Sequence, residues 1–164
     1  MISIIAAIGR NRELGQGNQL IWHIKEDLKN FKNITMGKYI IMGKNTYESL
    51  PKHLEGRKYI VLSSSLSNIE NGLLFNDFNK LLEFVKDLDE EVMVIGGASI
   101  YKLFLPYASK LYLTLIDSEA KADVYFPEFD KDNYKCNVVS SSEVDGLKYS
   151  FVIYERRWNK WEVN

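Results

Sequence analysis

The sequence predicts an α/β fold in a single domain: a mainly parallel central sheet of about eight strands, an antiparallel C-terminal edge hairpin, and about four flanking helices. Three observations carry that expectation. Short apolar runs recur along the chain, β-branched and continuous rather than alternating, as strands buried on both faces read. Helical patterns lie between them, so right-handed crossovers should bring neighbouring strands parallel. Near the C-terminus, Asp145-Gly146 separates two extended stretches, a strong hairpin signal.

The elements follow in order. ISIIAAI (2–8) has no basic flank and is too short for a signal core or a membrane span, so a core strand is expected there. GRNRELGQGNQLIW (9–22), with Gly15, Gly17 and Asn18, stays irregular; a loop of that length in a compact domain is a functional cover or a disordered stretch. A helical pattern spans 25–35, then come the strand KYIIMG (38–43) and a short helix near 45–50. The strand KYIVLS (58–63), the helix 77–88, the strand EVMVIGG (91–97), a helix over 98–104 and the strand KLYLTLI (110–116) complete the alternation. NVVSSSEV and LKYSFVIYERR flank the hairpin signal. The domain is expected over 1–157, with a tail from 158 to 164.

Composition bounds the function. With 21 basic and 22 acidic side chains in 164 residues the chain has no basic field, which argues against nucleic acid as a partner. The single cysteine, Cys136, can form no internal disulfide, and with only His23 and His53 to join it no zinc cluster or other metal site is expected. No membrane segment is read, and a cytoplasmic location is expected.

The helix at 25–35 poses the first chemical question. Lys25, Lys29 and Lys32 share one solvated face, with Asp27, Phe31 and Ile34 on the opposite side. Glu26 projects near the edge, whereas Asp27 sits among Leu28, Phe31 and Ile34 on the side meant to meet the sheet. One reading makes Asp27 a helix cap. The other makes it an acid in an apolar pocket, binding or sharing a proton with a nitrogen heterocycle, with Phe31 as the stacking face. Periodicity alone does not choose.

Strand ends supply a second pattern. Gly96-Gly97 stands between a buried strand and a helix, where the backbone can approach a phosphate, but the pair is a weak signal that a tight turn alone explains. Gly43, Lys44, Asn45 and Thr46 repeat the arrangement, and Ser63 and Ser64 follow a third strand. A lysine beside hydroxyl donors favours a 2′-phosphate, hence NADPH over NADH. Arg57 opens a strand, either as a surface residue or as a bidentate grip on a ligand carboxylate.

With these stretches in register, the chain resembles the bacterial dihydrofolate reductases from Met1 to about Arg157, through ISIIAAIGRNRELG, Trp22, EDLKNFKNIT, YIIMGKNTYESL, GRKYIVLSS, VMVIGGASIY, LYLTLID, AKADVYFP and FVIYERR. The resemblance implies NADPH-dependent reduction of 7,8-dihydrofolate to tetrahydrofolate, and antifolate inhibitors as further ligands. It implies that Asp27 binds the pteridine's ring nitrogen and exocyclic amine, that Thr114 supports that contact, and that Trp22 and Leu20 belong to a loop closing over the nicotinamide. Ile5, Ala7, Leu28, Phe31, Leu50 and Leu54 correspond to the folate pocket, and Arg57 with Lys32 to the grip on the glutamate carboxylate. Gly96, Gly97 and Ala98 correspond to the pyrophosphate turn, with Ile95, Ser99, Ile100 and Tyr101 beside it. Gly43, Lys44, Asn45 and Thr46, together with Leu62, Ser63 and Ser64, complete the cofactor set; Ala7, Leu14 and Gly15 meet its nicotinamide end. A monomer is implied.

The chain also departs from the family's pattern. Ile21 and Lys25 stand where prolines are common, and Asn45 and Ser99 replace frequent basic residues, so fewer cations are expected around the phosphates. PKHLEG (51–56) lacks prolines often present before the Gly-Arg pair. Two rival readings remain: a riboflavin-pathway reductase acting on a ribosylated pyrimidine, and a non-catalytic pterin- or nucleotide-binding module.

Overall fold

The computed structural model describes residues 1–16, 19–50 and 54–158. Gly17, Asn18, His53 and the tail beyond Trp158 lie outside the described residues. Along the chain, β1 (Ile2–Ile8) is followed by β2 (Glu13–Gln16), β3 (Gln19–Leu20) and α1 (Lys25–Thr35). Next come β4 (Tyr39–Gly43), α2 (Lys44–Ser49), β5 (Lys58–Leu62), β6 (Gly72–Phe75) and α3 (Phe78–Lys86). The remainder is β7 (Val92–Gly96), α4 (Ala98–Phe104), β8 (Ala108–Ile116), β9 (Val124–Tyr125), β10 (Tyr134–Val144) and β11 (Leu147–Arg156).

Eight strands form one sheet in the order β10-β11-β8-β1-β7-β4-β5-β6. From β8 to β6 every pairing is parallel; β11 joins β8 antiparallel, and β10 folds back on β11. The expected hairpin forms at Asp145 and Gly146, whose φ values of 50° and 81° suit a tight turn that glycine tolerates and aspartate can enter. The continuous apolar runs are explained by helices on both faces. Ile4, Ala6 and Ile8 of β1 join a core with Leu81 and Val85 of α3 and Phe104 of α4. Ile5, Ile40, Met42 and Val61 face the other way, against Phe31 and Ile34 of α1.

Two features differ from the expectation. β6 is not among the expected strands, because its apolar run of three residues, on a partly exposed edge, is too short to show a strand period. The segment expected to be irregular contains β2 and β3, which form a small second sheet with β9 in the order β3-β2-β9. Among the described residues no helix is long and apolar enough to cross a membrane.

Candidate active site

Asp27 enters the site from the first turn of α1. The N-cap of that helix is Ile24 and makes no side-chain capping bond. The Asp27 carboxylate is engaged instead across the sheet: Thr114 Oγ1 of β8 donates to Asp27 Oδ1 at 2.5 Å. Burial pushes the Asp27 carboxyl above its ordinary range, and the Thr114 hydrogen bond partly offsets that. Glu26 takes the opposite course, exposed, with Lys29 Nζ 3.7 Å from its Oε1. Adjacent acids thus occupy different environments because one helical step turns the side chain by about 100°.

The same rotation corrects the place of Leu28. The stripe meeting the protein runs through Ile24, Asp27, Phe31, Ile34 and Thr35, while Leu28 is 55% exposed. Phe31, Leu50 and Leu54 pack against the cluster containing Ile5. Thr114, itself buried, lies opposite the half-buried Ala7 in the β1–β8 register. The Tyr101 hydroxyl lies 2.8 Å from both the Ile5 and Ile95 carbonyl oxygens, where burial and then the Asp27 charge hold it protonated. Trp22 packs against the cluster of Ile24, Ile116 and Tyr149, whereas Leu20 is 64% exposed.

Arg57 is fixed at the far end of α1. Its Nε donates to Thr35 Oγ1 at 3.2 Å, Nη2 to the Lys32 carbonyl at 2.6 Å and Nη1 to the Glu55 carbonyl at 2.5 Å. Among the described residues no carboxylate forms an ion pair with it. A cation oriented by neutral groups keeps its charge available to a carboxylate from outside.

The second part of the site lies where β4, β5 and β7 end side by side. Met42 pairs with Gly96, and Gly43 with Leu62, so Thr46, Gly96-Gly97 and Ser63-Ser64 follow neighbouring strand ends. The Gly43 and Gly97 N-caps of α2 and α4 make no side-chain capping bonds. A Cβ on Gly97 would meet only Thr46 Oγ1, at 3.9 Å, whereas Gly96 adopts φ +134°, which L side chains rarely take. Uncapped amides, a hydroxyl and an open glycine surface fit the diphosphate of a dinucleotide. Lys44, Asn45, Ser64 and Ser99 are exposed around it, and Ala98 and Ile100 open α4. Ser63 turns inward, its Oγ accepting from the amides of Ser65 and Leu66 at 3.2 and 3.3 Å. Leu14 and Gly15 lie in β2, and Leu14 packs on the larger core.

One buried acid went unread in the sequence. Glu13 is 1% exposed, and nothing in its spacing within 9–22 distinguishes it from a solvated loop residue.

A family model described as "Dihydrofolate reductase" matches residues 1–156. The dihydrofolate reductase of Bacillus subtilis is 40% identical over 163 residues, covering 96% of this chain and 95% of that protein. That of Buchnera aphidicola from Acyrthosiphon pisum is 41% identical over 160 residues, covering 94% and 99%. A solved dihydrofolate reductase from Enterococcus faecalis, complexed with NADP(H) and RAB-propyl, superposes with a TM-score of 0.87 at 26% identity, over 96% of this chain and 97% of that one.

Proposed function

The chain belongs to the dihydrofolate reductase family, and from that premise we propose that it reduces 7,8-dihydrofolate to tetrahydrofolate with NADPH through the site built around Asp27. The observation that carries this reading is the Asp27–Thr114 contact: a carboxylate held in a half-buried site, above a strand end, with Phe31 on the same helix face.

Asp27 accepts hydrogen bonds from the pterin's ring N–H and exocyclic amine, and Thr114 keeps its carboxylate oriented for both. The raised carboxyl pKa means that a nitrogen base bound there shares its proton readily. Ile5, Ala7, Phe31, Leu50 and Leu54 supply the apolar walls, with the exposed Leu28 at their open side, and Arg57 with Lys32 holds the glutamate carboxylate of the substrate. The amides at Gly97 and Ala98, with Thr46, Lys44 and Ser64, would hold the dinucleotide's phosphates. When bound, NADPH supplies the hydride that is added at pterin C6.

The protein's contribution is position and dryness. Trp22 and Leu20 cover the reacting edge and exclude bulk water, and a water admitted beside them delivers the proton to N5. Opening of that cover is a candidate for the step that limits turnover. The reading extends to a cytoplasmic monomer that antifolates inhibit; a lone exposed thiol suits a reducing compartment.

A substrate panel tests the reading. Purified protein should oxidise NADPH with dihydrofolate and fail with a ribosylated aminopyrimidine of the riboflavin type. The reverse preference overturns it.

A further inference from the structure

Glu13 is a buried carboxylate that the proposed chemistry does not use. It follows a turn in which Arg12 N donates to the Gly9 carbonyl at 3.0 Å and Gly9 N to the Glu13 carbonyl at 3.2 Å. Its side chain folds back over that turn. Oε1 accepts from Asn11 N at 2.7 Å, within its own loop, and Oε2 accepts from Ala120 N at 2.9 Å, in the segment leading to β9. Among the described residues no cation pairs with it in an ion bridge. Burial alone would raise its pKa, yet the amides of Ala120, Glu13 and Asn11 together hold it below the ordinary carboxylate range, so it is ionised at neutral pH.

The carboxylate and Trp22 both border Gly9. A Cβ placed on Gly9 would lie 2.4 Å from Trp22 Cη2 and 2.5 Å from Glu13 Oε1. The tip of the indole and the carboxylate therefore crowd the same spot, and the absence of a side chain at position 9 admits both. The exposed Arg10–Asp117 bridge and the bond from Arg10 N to the Ser118 carbonyl run between the same two segments, but at the surface, where screening makes ion pairs weak. Glu13 adds a buried side-chain link to the backbone pairing of β2 with β9 and the bond from Phe126 N to the Arg12 carbonyl.

We propose that Glu13 is a positioning residue for hydride transfer: by clamping residues 9–13 to Ala120 it fixes the support against which Trp22 rests, and so sets the closed position of the cover over the reacting edge. The proposal rests on the functional reading above, because Trp22 matters only if that edge is where the reaction occurs. Misplacement of a positioning group by about 1 Å can cost about a hundredfold in rate. Binding of either substrate depends instead on Asp27, Arg57 and the Gly96-Gly97 turn, which Glu13 does not touch.

The test compares wild type, Glu13→Gln and Gly9→Ala. Glu13→Gln keeps the size but puts an N–H group where an amide donor needs an acceptor; Gly9→Ala leaves the carboxylate and displaces the contact. Single-turnover hydride transfer should slow about tenfold or more in both, with the KM values for dihydrofolate and NADPH changed by no more than about threefold. The deuterium isotope effect on kcat from 4-deuterated NADPH should rise as hydride transfer becomes limiting. If both variants melt earlier than wild type but transfer hydride within about twofold of it, Glu13 serves stability alone and the proposal is overturned. A wild type without dihydrofolate-dependent NADPH oxidation overturns the functional reading, and this proposal with it.

Discussion

Thr114 Oγ1 lies 2.5 Å from Asp27 Oδ1, joining β8 to the first turn of α1 across 87 residues of sequence. That bond lowers the Asp27 pKa against the larger, opposing effect of burial. Thr114→Val keeps the side-chain shape and removes the donor. The pKa governing the pH dependence of kcat/KM for dihydrofolate should move upward, and activity at neutral pH should fall about tenfold, the scale of one hydrogen bond to a charged group. A pH–rate profile of the purified variant checks both.

Asp27 also costs the fold stability. Its folded pKa is raised, so between the ordinary carboxylate pKa and that raised value the native state binds more proton than the unfolded chain does. Stability therefore falls as pH rises through this window, and the cost is fully present above the raised value. Asp27→Asn removes the charge and should melt above wild type at neutral pH, with the gap closing as pH falls below the ordinary carboxylate range. Thermal melts across pH measure it.

Glu91 shows the opposite linkage, at the amino ends of the strands and away from the site. Its Oε2 accepts from Ser3 Oγ at 2.6 Å and from the Tyr112 hydroxyl at 3.0 Å, and Lys38 Nζ lies 2.7 Å from Oε1. Burial raises its pKa, but Lys38, Ser3 and Tyr112 together lower it further, so its stabilisation is present above the ordinary carboxylate pKa and is lost as pH falls through the folded value. Glu91→Ala strands three partners and should cost about 3 kcal/mol, a drop of about 6–12 °C in Tm. The KM values should be unaltered; melts and steady-state kinetics read the two effects separately.

The two glycines of the phosphate turn should separate folding from binding. Gly96→Ala places a side chain at φ +134° and should cost about 1–3 kcal/mol of stability. Gly97 has no such φ, and its Cβ would make only ordinary contact with Thr46. Gly97→Ala should therefore melt near wild type while binding NADPH at least about tenfold more weakly, since the methyl takes the space a phosphate needs. Melts paired with NADPH titration by fluorescence check the contrast.

Legibility in the sequence followed the range of the interactions. The α1 boundaries, the mainly parallel character of the sheet and the Asp145-Gly146 hairpin were readable because period, crossover handedness and turn chemistry are local rules. The place of Asp27 on an inward face was readable from the same period, but its engagement by Thr114 rested on family likeness, because no periodicity links two residues so far apart. Leu28 was misplaced because a neighbour one helical step from a buried residue can fall on either side of the boundary. β6 and the β2-β3-β9 sheet escaped because strands of two to four residues are too short for a period to show. Glu13 escaped because its partners are backbone amides, and amides leave no mark in a sequence.

The most direct test of the central claim compares the two adjacent acids. NADPH oxidation is followed by absorbance with dihydrofolate as substrate, for wild type, Asp27→Asn and Glu26→Gln. The account predicts rapid turnover by wild type and Glu26→Gln, and a loss of about a hundredfold or more for Asp27→Asn. A crippled Glu26→Gln beside an active Asp27→Asn would contradict it.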